Sequence, residues 1–379
     1  MSSNDNVVAA AGEFAATYLQ ANAAQWERDR YMPRAMFQHA ADAGLCGLLV
    51  AQELGGRNVD FATLIQVVEK LAYTDFAAAF ALVVHNNHAR AISTQGSDAQ
   101  IARWLPDMLA GRNVGAFLLT EPGGGSDAAH ITTIAVADGD DYVLNGEKAW
   151  VTNSTHADLL NVFAQTQLGG DARGIASFQV PADSAGVQRL DAYDMIGSYA
   201  MGAGGFRFEN VRVAADQLLV PPGQGFKAAL AGIDIARTVV AGMCCGMLQS
   251  GLDVVMPRLL ERHAFGGPLI DQQGLAWQIA DVATDLAATR LLAAEAARLI
   301  DANEPAALTA AHAKKFATSV TLNGMAACMQ GMGADGLKQQ YPFARHLAAA
   351  KIAQYIDGTT EIQNVVISRA LQEQYKDLD

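Results

Sequence analysis

Residues 120–153, TEPGGGSDAAHITTIAVADGDDYVLNGEKAWVTN, show the change of composition that decides the fold. Glycine, threonine and β-branched residues form short runs here, such as ITTIAVA and DYVLNGEKAWVTN, and such runs are typical of β-strands. Similar runs follow as LLNVFAQT, IASFQV and FRFENVRV. Asn145-Gly146 has the composition of a hairpin turn. These features predict that residues 113–221 form an antiparallel β domain.

The segments on both sides of this region are predicted to be helical. In residues 1–112, apolar side chains recur at helical spacing, as in the run from Phe61 to Leu71, and glycines such as Gly96 interrupt them. After Pro221-Pro222-Gly223, residues 222–379 contain helical segments long enough to pack as a four-helix bundle. The predicted fold class is therefore α+β and multidomain, with the domains in the order helical, β, helical.

Composition excludes several classes of partner. The formal net charge of -13 disfavours nucleic acid and anionic membranes, because both require clustered lysine and arginine. No segment approaches the uncharged apolar run of about 20 residues that a membrane-spanning helix needs. The first residues, MSSNDNVV, do not resemble a signal peptide, so a cytoplasmic location is expected. With 51% apolar residues and a mean hydropathy of +0.12, the chain is expected to form an oligomer.

The four cysteines, Cys46, Cys244, Cys245 and Cys328, include no CxxC pair. They are predicted to be small apolar side chains packed in helices, and no metal site is expected.

The glycine-rich segment Gly123-Gly124-Gly125 has neither the lysine of a Walker motif nor the strand-to-helix context of a dinucleotide fingerprint. Taken alone it is compatible with an ordinary turn. Together with three later motifs, however, it resembles the four ordered signatures of the FAD-dependent acyl-CoA dehydrogenase family. The four motifs are TEPGGGSD (120–127), NGEKAWVTN (145–153), ERHAFGGPLIDQQ (261–273) and YIDGTTEIQ (355–363), and the resemblance runs from roughly Ala10 to Leu371.

The resemblance implies a fold, an activity and partners. The fold would have an N-terminal helical domain, a middle antiparallel β-barrel domain and a C-terminal four-helix bundle. The activity would be α,β-desaturation of an acyl thioester, with FAD as cofactor and an electron-transfer flavoprotein as acceptor. The oligomer would be a homotetramer or a dimer.

The resemblance also implies which residues contact the flavin. Trp150 would pack against the isoalloxazine and Thr152 would face N5, where hydride arrives. Thr120 and Ser126 would line the flavin and the thioester end of the substrate. Arg262 would reach the pyrophosphate in a neighbouring subunit, for which its planar donors are suited. The remaining implied flavin contacts are Leu118, Phe265, Gln273, Gln330, Gly333, Thr359 and Glu361.

On the substrate side, the resemblance implies contacts from Ser126, Asp234, Arg237 and Gly358. The catalytic base would be Asp357, at a position where most family members carry glutamate. Its carboxylate would lie about 1.3 to 1.5 Å further back, because its stem is one methylene shorter. Some family branches place the base on the helix that contains GIDIAR, but the equivalent residue here is Ala236.

Two of these assignments have structural alternatives. Asp357 has the composition of a helix N-cap before Gly358. His85 and Asn86 resemble residues that wall the acyl pocket, although a structural role for His85 is favoured.

Several positions depart from the family pattern. Ala348-Ala349 replaces an Arg-Asp pair, Ala334 replaces a glycine, and Asn364 stands where an arginine often follows EIQ. The link region, DMIGSYAMGAGG, lacks the usual basic and hydroxyl residues, and Ala264 stands where a hydroxyl residue is common. The changes weaken the expectation of standard contacts to CoA phosphates and suggest an atypical substrate.

The functional hypothesis is a dehydrogenase for a short, branched or atypical acyl thioester carried by CoA. Two alternatives on the same fold remain open: a dehydrogenase for thioesters of an acyl carrier protein, and a flavin oxidase similar to nitroalkane oxidases with Asp357 as base. A third alternative is a catalytically silent binding or assembly protein.

Overall fold

A computed structural model describes residues 3–167 and 170–376, and its first part is helical as predicted. Phe61 begins a helix whose residues Leu64, Val68 and Leu71 are buried. The side chains of Asp60 and Asp75 cap two of the helices by accepting from backbone N–H groups of the first turn. The helices are α1 Ser3–Phe14, α2 Gln20–Asp29, α3 Ala35–Asp42, α4 Phe61–Thr74, α5 Phe76–Gln95 and α6 Asp98–Leu109, and a π-helical turn, Ala15–Leu19, joins α1 to α2.

The middle part of the chain forms one eight-stranded sheet. Its strands are β1 Gly115–Leu118, β2 Ile134–Asp138, β3 Asp141–Val151, β4 Leu159–Gln165, β5 Ile175–Pro181, β6 Val187–Arg189, β7 Gly204–Val213 and β8 Leu218–Val220. The order is β6-β7-β3-β2-β4-β5-β8, and β1 pairs with β4. Five pairings are antiparallel, but β1 and β2 both run parallel to β4. The sheet is therefore mixed, whereas the sequence predicts a wholly antiparallel domain.

The prediction of a turn at Asn145-Gly146 was wrong. Both residues lie inside β3, where the register with β7 shifts between Leu144 and Gly146, as at a β-bulge. A Cβ added to Gly146 would lie 2.7 Å from Thr133 Cα, and its φ of +142° also favours glycine. The β2–β3 turn instead contains Gly139, with φ +65°. Glycine at position 146 thus allows close strand approach inside a long strand.

The last part of the chain is helical apart from one short hairpin. The helices are α7 Gly225–Glu261, α8 Gln273–Asp301, α9 Ala307–Gly331, α10 Phe343–Ala353 and α11 Thr360–Tyr375, and the hairpin is β9 His263–Ala264 with β10 Gly267–Pro268. The long helices α7, α8 and α9 pack against one another, and α10 and α11 pack on α9. Up to residue 376, the last one described, five helices therefore stand where the sequence predicts a bundle of four. Helix α4 packs on both α7 and α8, so the two helical domains share one apolar core.

Helix α7 is the most apolar long element in the described residues. By length and composition alone it could cross a membrane, contrary to the expectation that no segment could. Within the fold, 72% of its most apolar 18-residue window is buried. Such burial is what the core helix of a folded domain shows, because its alanine, cysteine and methionine side chains pack against neighbouring helices, which approach closely at its glycines.

Close packing of α4 on α7 depends on Gly246. A Cβ at this position would lie 2.3 Å from Glu69 O and 2.7 Å from Tyr73 N, and neither backbone atom can move alone. We expect Gly246→Ala to lower the free energy of unfolding by about 1 to 3 kcal/mol, because overpacking separates the helices. Chemical denaturation measures this. Gly232→Ala in the same helix is the control, since nothing lies within 4 Å of its added Cβ, and an equal loss there would contradict the explanation.

Candidate active site

Asp357 and Gly358 form the loop between α10 and α11 in an uncommon backbone conformation. Their φ angles are +50° and +88°, and both lie in the left-handed region. Aspartate and asparagine enter this region more readily than most side chains, and glycine enters it freely. A Cβ on Gly358 would also lie 3.0 Å from the Gln363 side-chain nitrogen. The loop therefore favours a short carboxylate at position 357 and requires glycine after it.

The N-cap of α11 is Thr359, whose hydroxyl accepts from the Ile362 N–H at 3.4 Å. The alternative interpretation of Asp357 as a helix cap is therefore wrong. Its carboxylate is left for another role.

Basic and amide side chains from three helices hold this loop in place. Arg237 on α7 donates from Nε to the Asp357 carbonyl at 3.4 Å and pairs through Nη1 with Asp234 at 2.7 Å. Lys314 on α9 and Gln363 on α11 both donate to the Gly358 carbonyl. The structure thus brings together Asp357, Gly358, Asp234 and Arg237, as the sequence predicts, and adds Lys314 and Gln363.

Asp357 is half-buried as a residue, and one of its carboxylate oxygens is fully buried. Its Oδ2 atom has no hydrogen-bond partner in the described residues. Burial raises the pKa of Asp357 to about 6, although the positive charges of Lys314 and Arg237 act in the opposite direction. A carboxylate with this pKa is charged at neutral pH, and its free oxygen can accept a proton. The backbone N–H of Asp357 likewise donates no hydrogen bond within the described part of the chain.

A buried ion pair fixes the glycine-rich loop after β1. Lys148 on β3 donates to Glu121 Oε1 at 2.9 Å and to the Leu119 carbonyl at 2.9 Å. Glu121 also accepts from Thr132 and Thr133. Burial alone would raise the pKa of Glu121, but Lys148 and the threonine donors outweigh burial and lower that pKa to about 2. The start of the glycine-rich loop is therefore held rigidly by the buried pair of Glu121 and Lys148.

The upper side of this loop is open. Nothing lies within 4 Å of a Cβ added to Gly123 or Gly124, and Ser126 is exposed. The Thr120 carbonyl accepts from the Ala149 N–H at 3.0 Å, which ties the loop to β3 just before Trp150. Leu118 is fully buried in β1, so its side chain packs in the sheet and contact with a ligand is possible only through its backbone.

A second irregularity of β3 places Trp150 at the surface. The register with β7 shifts between Lys148 and Val151, and Trp150 has φ +57°. Its indole is 63% exposed and packs against the Tyr193 ring, with centroids 4.5 Å apart. Thr152 follows in the turn and is buried. An exposed indole beside an open glycine loop fits a planar ring system such as the isoalloxazine of FAD.

Two further predicted flavin contacts, Thr359 and Glu361, lie at the start of α11 next to the Asp357 loop. The others form a separate group around the β9–β10 hairpin. Phe265 at its tip is 95% exposed with φ +54°. An ion pair of 2.6 Å between Arg258 and Asp335 joins the base of the hairpin to the end of α9. The other members are all exposed, namely Arg262, Gln273, Gln330 and Gly333. Within residues 3–167 and 170–376, no hydrogen bond or ion pair joins this group to the Asp357 loop.

His85 is a structural residue, as favoured from the sequence. Its Nδ1 accepts from the Gly115 N–H at 3.2 Å, so Nε2 carries the proton and donates to the Met108 carbonyl at 3.0 Å. Burial lowers the pKa of His85 to about 4. Asn86 is likewise saturated by backbone groups of Leu48, Leu45 and Leu82. It still lines a narrow apolar pocket that includes Leu82 and Val83.

Two of the departures from the family pattern meet in the fold. An added Cβ on Gly197, in the link region, would lie 2.8 Å from the Ala348 Cβ and 2.8 Å from Glu27 Oε1. Glu27 accepts from the N–H groups of Ser198 and Tyr199. The small side chain at position 348 thus accompanies a close approach of the link region.

Lys314, Gln363 and Tyr193 belong to the site but are not among the residues predicted from the sequence. Gln363 closes the quoted motif YIDGTTEIQ, so its place in the motif was a usable signal. Lys314 is followed directly by Lys315, and two adjacent lysines give no indication that one of them is buried. Tyr193 had no signal at all, because it lies in the irregular segment between β6 and β7, far from Trp150 in the chain.

Family comparisons cover nearly the whole chain. Three models of one family match it in order: acyl-CoA dehydrogenase N-terminal domain at residues 2–112, middle domain at residues 116–211 and C-terminal domain at residues 223–372.

Individual proteins agree with the family models. The mitochondrial short-chain specific acyl-CoA dehydrogenase of Bos taurus is 33% identical over 365 residues, which cover 96% of this chain and 89% of the relative. The butyryl-CoA dehydrogenase structure from Megasphaera elsdenii superposes with a TM-score of 0.94 at 30% identity, covering 98% of both chains. A glutaryl-CoA dehydrogenase from Mycobacterium smegmatis in complex with FADH2 superposes with a TM-score of 0.92 at 26% identity, covering 98% of this chain and 94% of that chain.

Proposed function

Because the chain belongs to the acyl-CoA dehydrogenase family, whose members are FAD-dependent oxidoreductases acting on CH–CH bonds, we propose that it desaturates a short, branched or atypical acyl thioester. The observation that carries the proposal is the buried Oδ2 atom of Asp357, which has no hydrogen-bond partner in the described residues. The short-chain relatives support a small acyl group.

In the proposed mechanism Asp357 Oδ2 removes the α-proton of the thioester. Arg237 and the donors to Gly358 hold the loop so that this oxygen keeps its position. The Asp357 N–H is available to the thioester carbonyl oxygen, and a donor there makes the α-proton more acidic. When bound, FAD supplies the acceptor for the β-hydride. The α-carbon loses a proton and the β-carbon loses a hydride, so a double bond forms between these two carbons of the thioester.

The residues proposed to hold FAD within one chain are those around the open glycine loop. The exposed Trp150 indole offers a flat apolar face, and Tyr193 keeps that ring in one orientation. Thr120 and Ser126 lie on the adjoining loop and offer hydroxyl groups. The buried Glu121–Lys148 pair makes the loop rigid before the cofactor arrives.

Completion of the site by a second copy of the chain is part of the same proposal. Phe265 and Arg262 lie on an exposed hairpin with few contacts to their own chain, and they are suited to contact a cofactor held by a neighbouring subunit. An electron-transfer flavoprotein is proposed as the acceptor by family resemblance.

The carrier of the acyl group is a separate question. Asn364 is exposed near the start of α11, where many family members have an arginine. This weakens one expected contact to CoA and keeps an acyl carrier protein as the second candidate.

The test is an anaerobic flavin-reduction screen with purified FAD-loaded protein. We expect bleaching of the flavin by butyryl-CoA, isobutyryl-CoA or a similar small acyl-CoA. The same acyl groups on pantetheine and on an acyl carrier protein separate the two carriers. Reduction by a nitroalkane alone, with rapid oxygen consumption, would favour an oxidase, and no reduction by any thioester would overturn the proposal.

A further inference from the structure

Lys314 is a buried cation whose surroundings differ from those of the other fully buried lysine. Its side chain lies on α9 and is 1% exposed. Lys148 has a carboxylate partner at 2.9 Å, whereas Lys314 has no carboxylate within ion-pair distance in the described residues. Its hydrogen bond goes to the carbonyl oxygen of Gly358, next to Asp357. A buried ammonium group lowers the stability of the fold unless its charge is compensated. Here the Gly358 carbonyl and the neighbouring Asp357 carboxylate provide this compensation.

Charged and titratable groups face the pair formed by Lys314 and Asp357 from every helix around it. Helix α7 contributes Arg237, Asp234 and Cys244, and α11 contributes Glu361. From α10, the positive charge of Lys351 acts on Glu361. Burial lowers the pKa of Lys314 to about 8, while the carboxylate of Asp357 opposes this change more strongly than any other group. Lys314 therefore remains protonated at neutral pH and interacts chiefly with Asp357.

We propose that Lys314 is a positioning residue for the base, which fixes the Gly358 peptide and keeps the neighbouring Asp357 carboxylate ionised until it receives the α-proton. The inference rests on the proposed function of Asp357. Without a buried positive charge, burial would favour the protonated form of the carboxyl group, which cannot act as a base. Arg237 contributes in the same direction, but it is already paired with Asp234.

Three substitutions separate the charge of Lys314 from its hydrogen bond. Lys314→Met removes both, Lys314→Gln keeps a donor without charge, and Lys314→Arg keeps both. Each variant is loaded with FAD, and its anaerobic flavin reduction by the active thioester is measured against pH. We expect the acid limb to move to higher pH by about 1 to 3 units in the Met and Gln variants. The Arg variant should keep the limb of the unmodified protein, and Gln should recover more rate than Met at high pH.

A second readout does not depend on turnover. The carboxyl stretch of Asp357, identified by its absence in Asp357→Asn, is titrated by infrared spectroscopy in the flavin-loaded proteins. The pKa of this carboxyl group should be higher in Lys314→Gln than in the unmodified protein. If Asp357 proves not to be the base, the rate profiles lose their meaning while this titration still tests the effect of Lys314 on the carboxylate.

Lys315 provides a matched control, because it is the next residue of α9 and is exposed. Lys315→Met should leave both the acid limb and the infrared titration unchanged. Unchanged profiles in Lys314→Gln and Lys314→Met, or an equal shift in Lys315→Met, would overturn the inference. If Lys314→Met does not fold, the Gln and Arg variants decide the question.

Discussion

The Asp357→Asn variant is expected to reduce its flavin about 10² to 10⁴ times more slowly than the unmodified protein, because the general base is removed. Asparagine has nearly the same shape as aspartate and also enters the left-handed region, so the loop at φ +50° should persist. The measurement is the anaerobic rate of flavin reduction by the thioester that reduces the unmodified protein.

The control for this experiment is the content of bound FAD and the unfolding midpoint, both of which should be close to those of the unmodified protein. In the unmodified protein the rate should fall as the pH drops through about 6, because protonation of Asp357 removes the base. An Asp357→Asn variant that keeps its rate would favour a different base or a silent protein.

The Glu121→Gln variant is expected to lose about 3 to 5 kcal/mol of unfolding free energy at neutral pH, because it leaves Lys148 buried without a counter-charge. Lys148 is fully buried, and burial already lowers its pKa to about 8 even with Glu121 present. Chemical denaturation at neutral pH measures the loss. The variant should also bind FAD more weakly, because the glycine-rich loop loses its rigid base.

The pH dependence of this variant has a definite sign. The folded state holds the Lys148 proton less tightly than the unfolded state does, so part of the lost stability should return as the pH rises above neutrality. Glu147→Gln is the control, since Glu147 lies on the same strand and its pair with Arg207 is partly exposed. It should cost about 0 to 1 kcal/mol. Equal losses in the two variants would contradict a special role of the buried pair.

Much of the fold could be predicted because local patterns and tertiary packing agree there. The helical spacing from Phe61 to Leu71 becomes the buried face of α4. The Asn145-Gly146 prediction failed because the same dipeptide also suits a bulge, and only the neighbouring Thr133 backbone shows which of the two is needed.

The sequence by itself determined the order of the domains, the family and the motif that carries Asp357. These are properties of residues close together in the chain. Only the tertiary structure decided that Thr359 caps α11, that Lys314 and Gln363 meet at the Gly358 carbonyl, and that Tyr193 packs on Trp150. The physical reason is that burial and hydrogen bonding join residues far apart in the chain, such as Lys314 and Gly358. A local pattern therefore cannot show whether a carboxylate caps a helix at the surface or is buried where it could act as a general base.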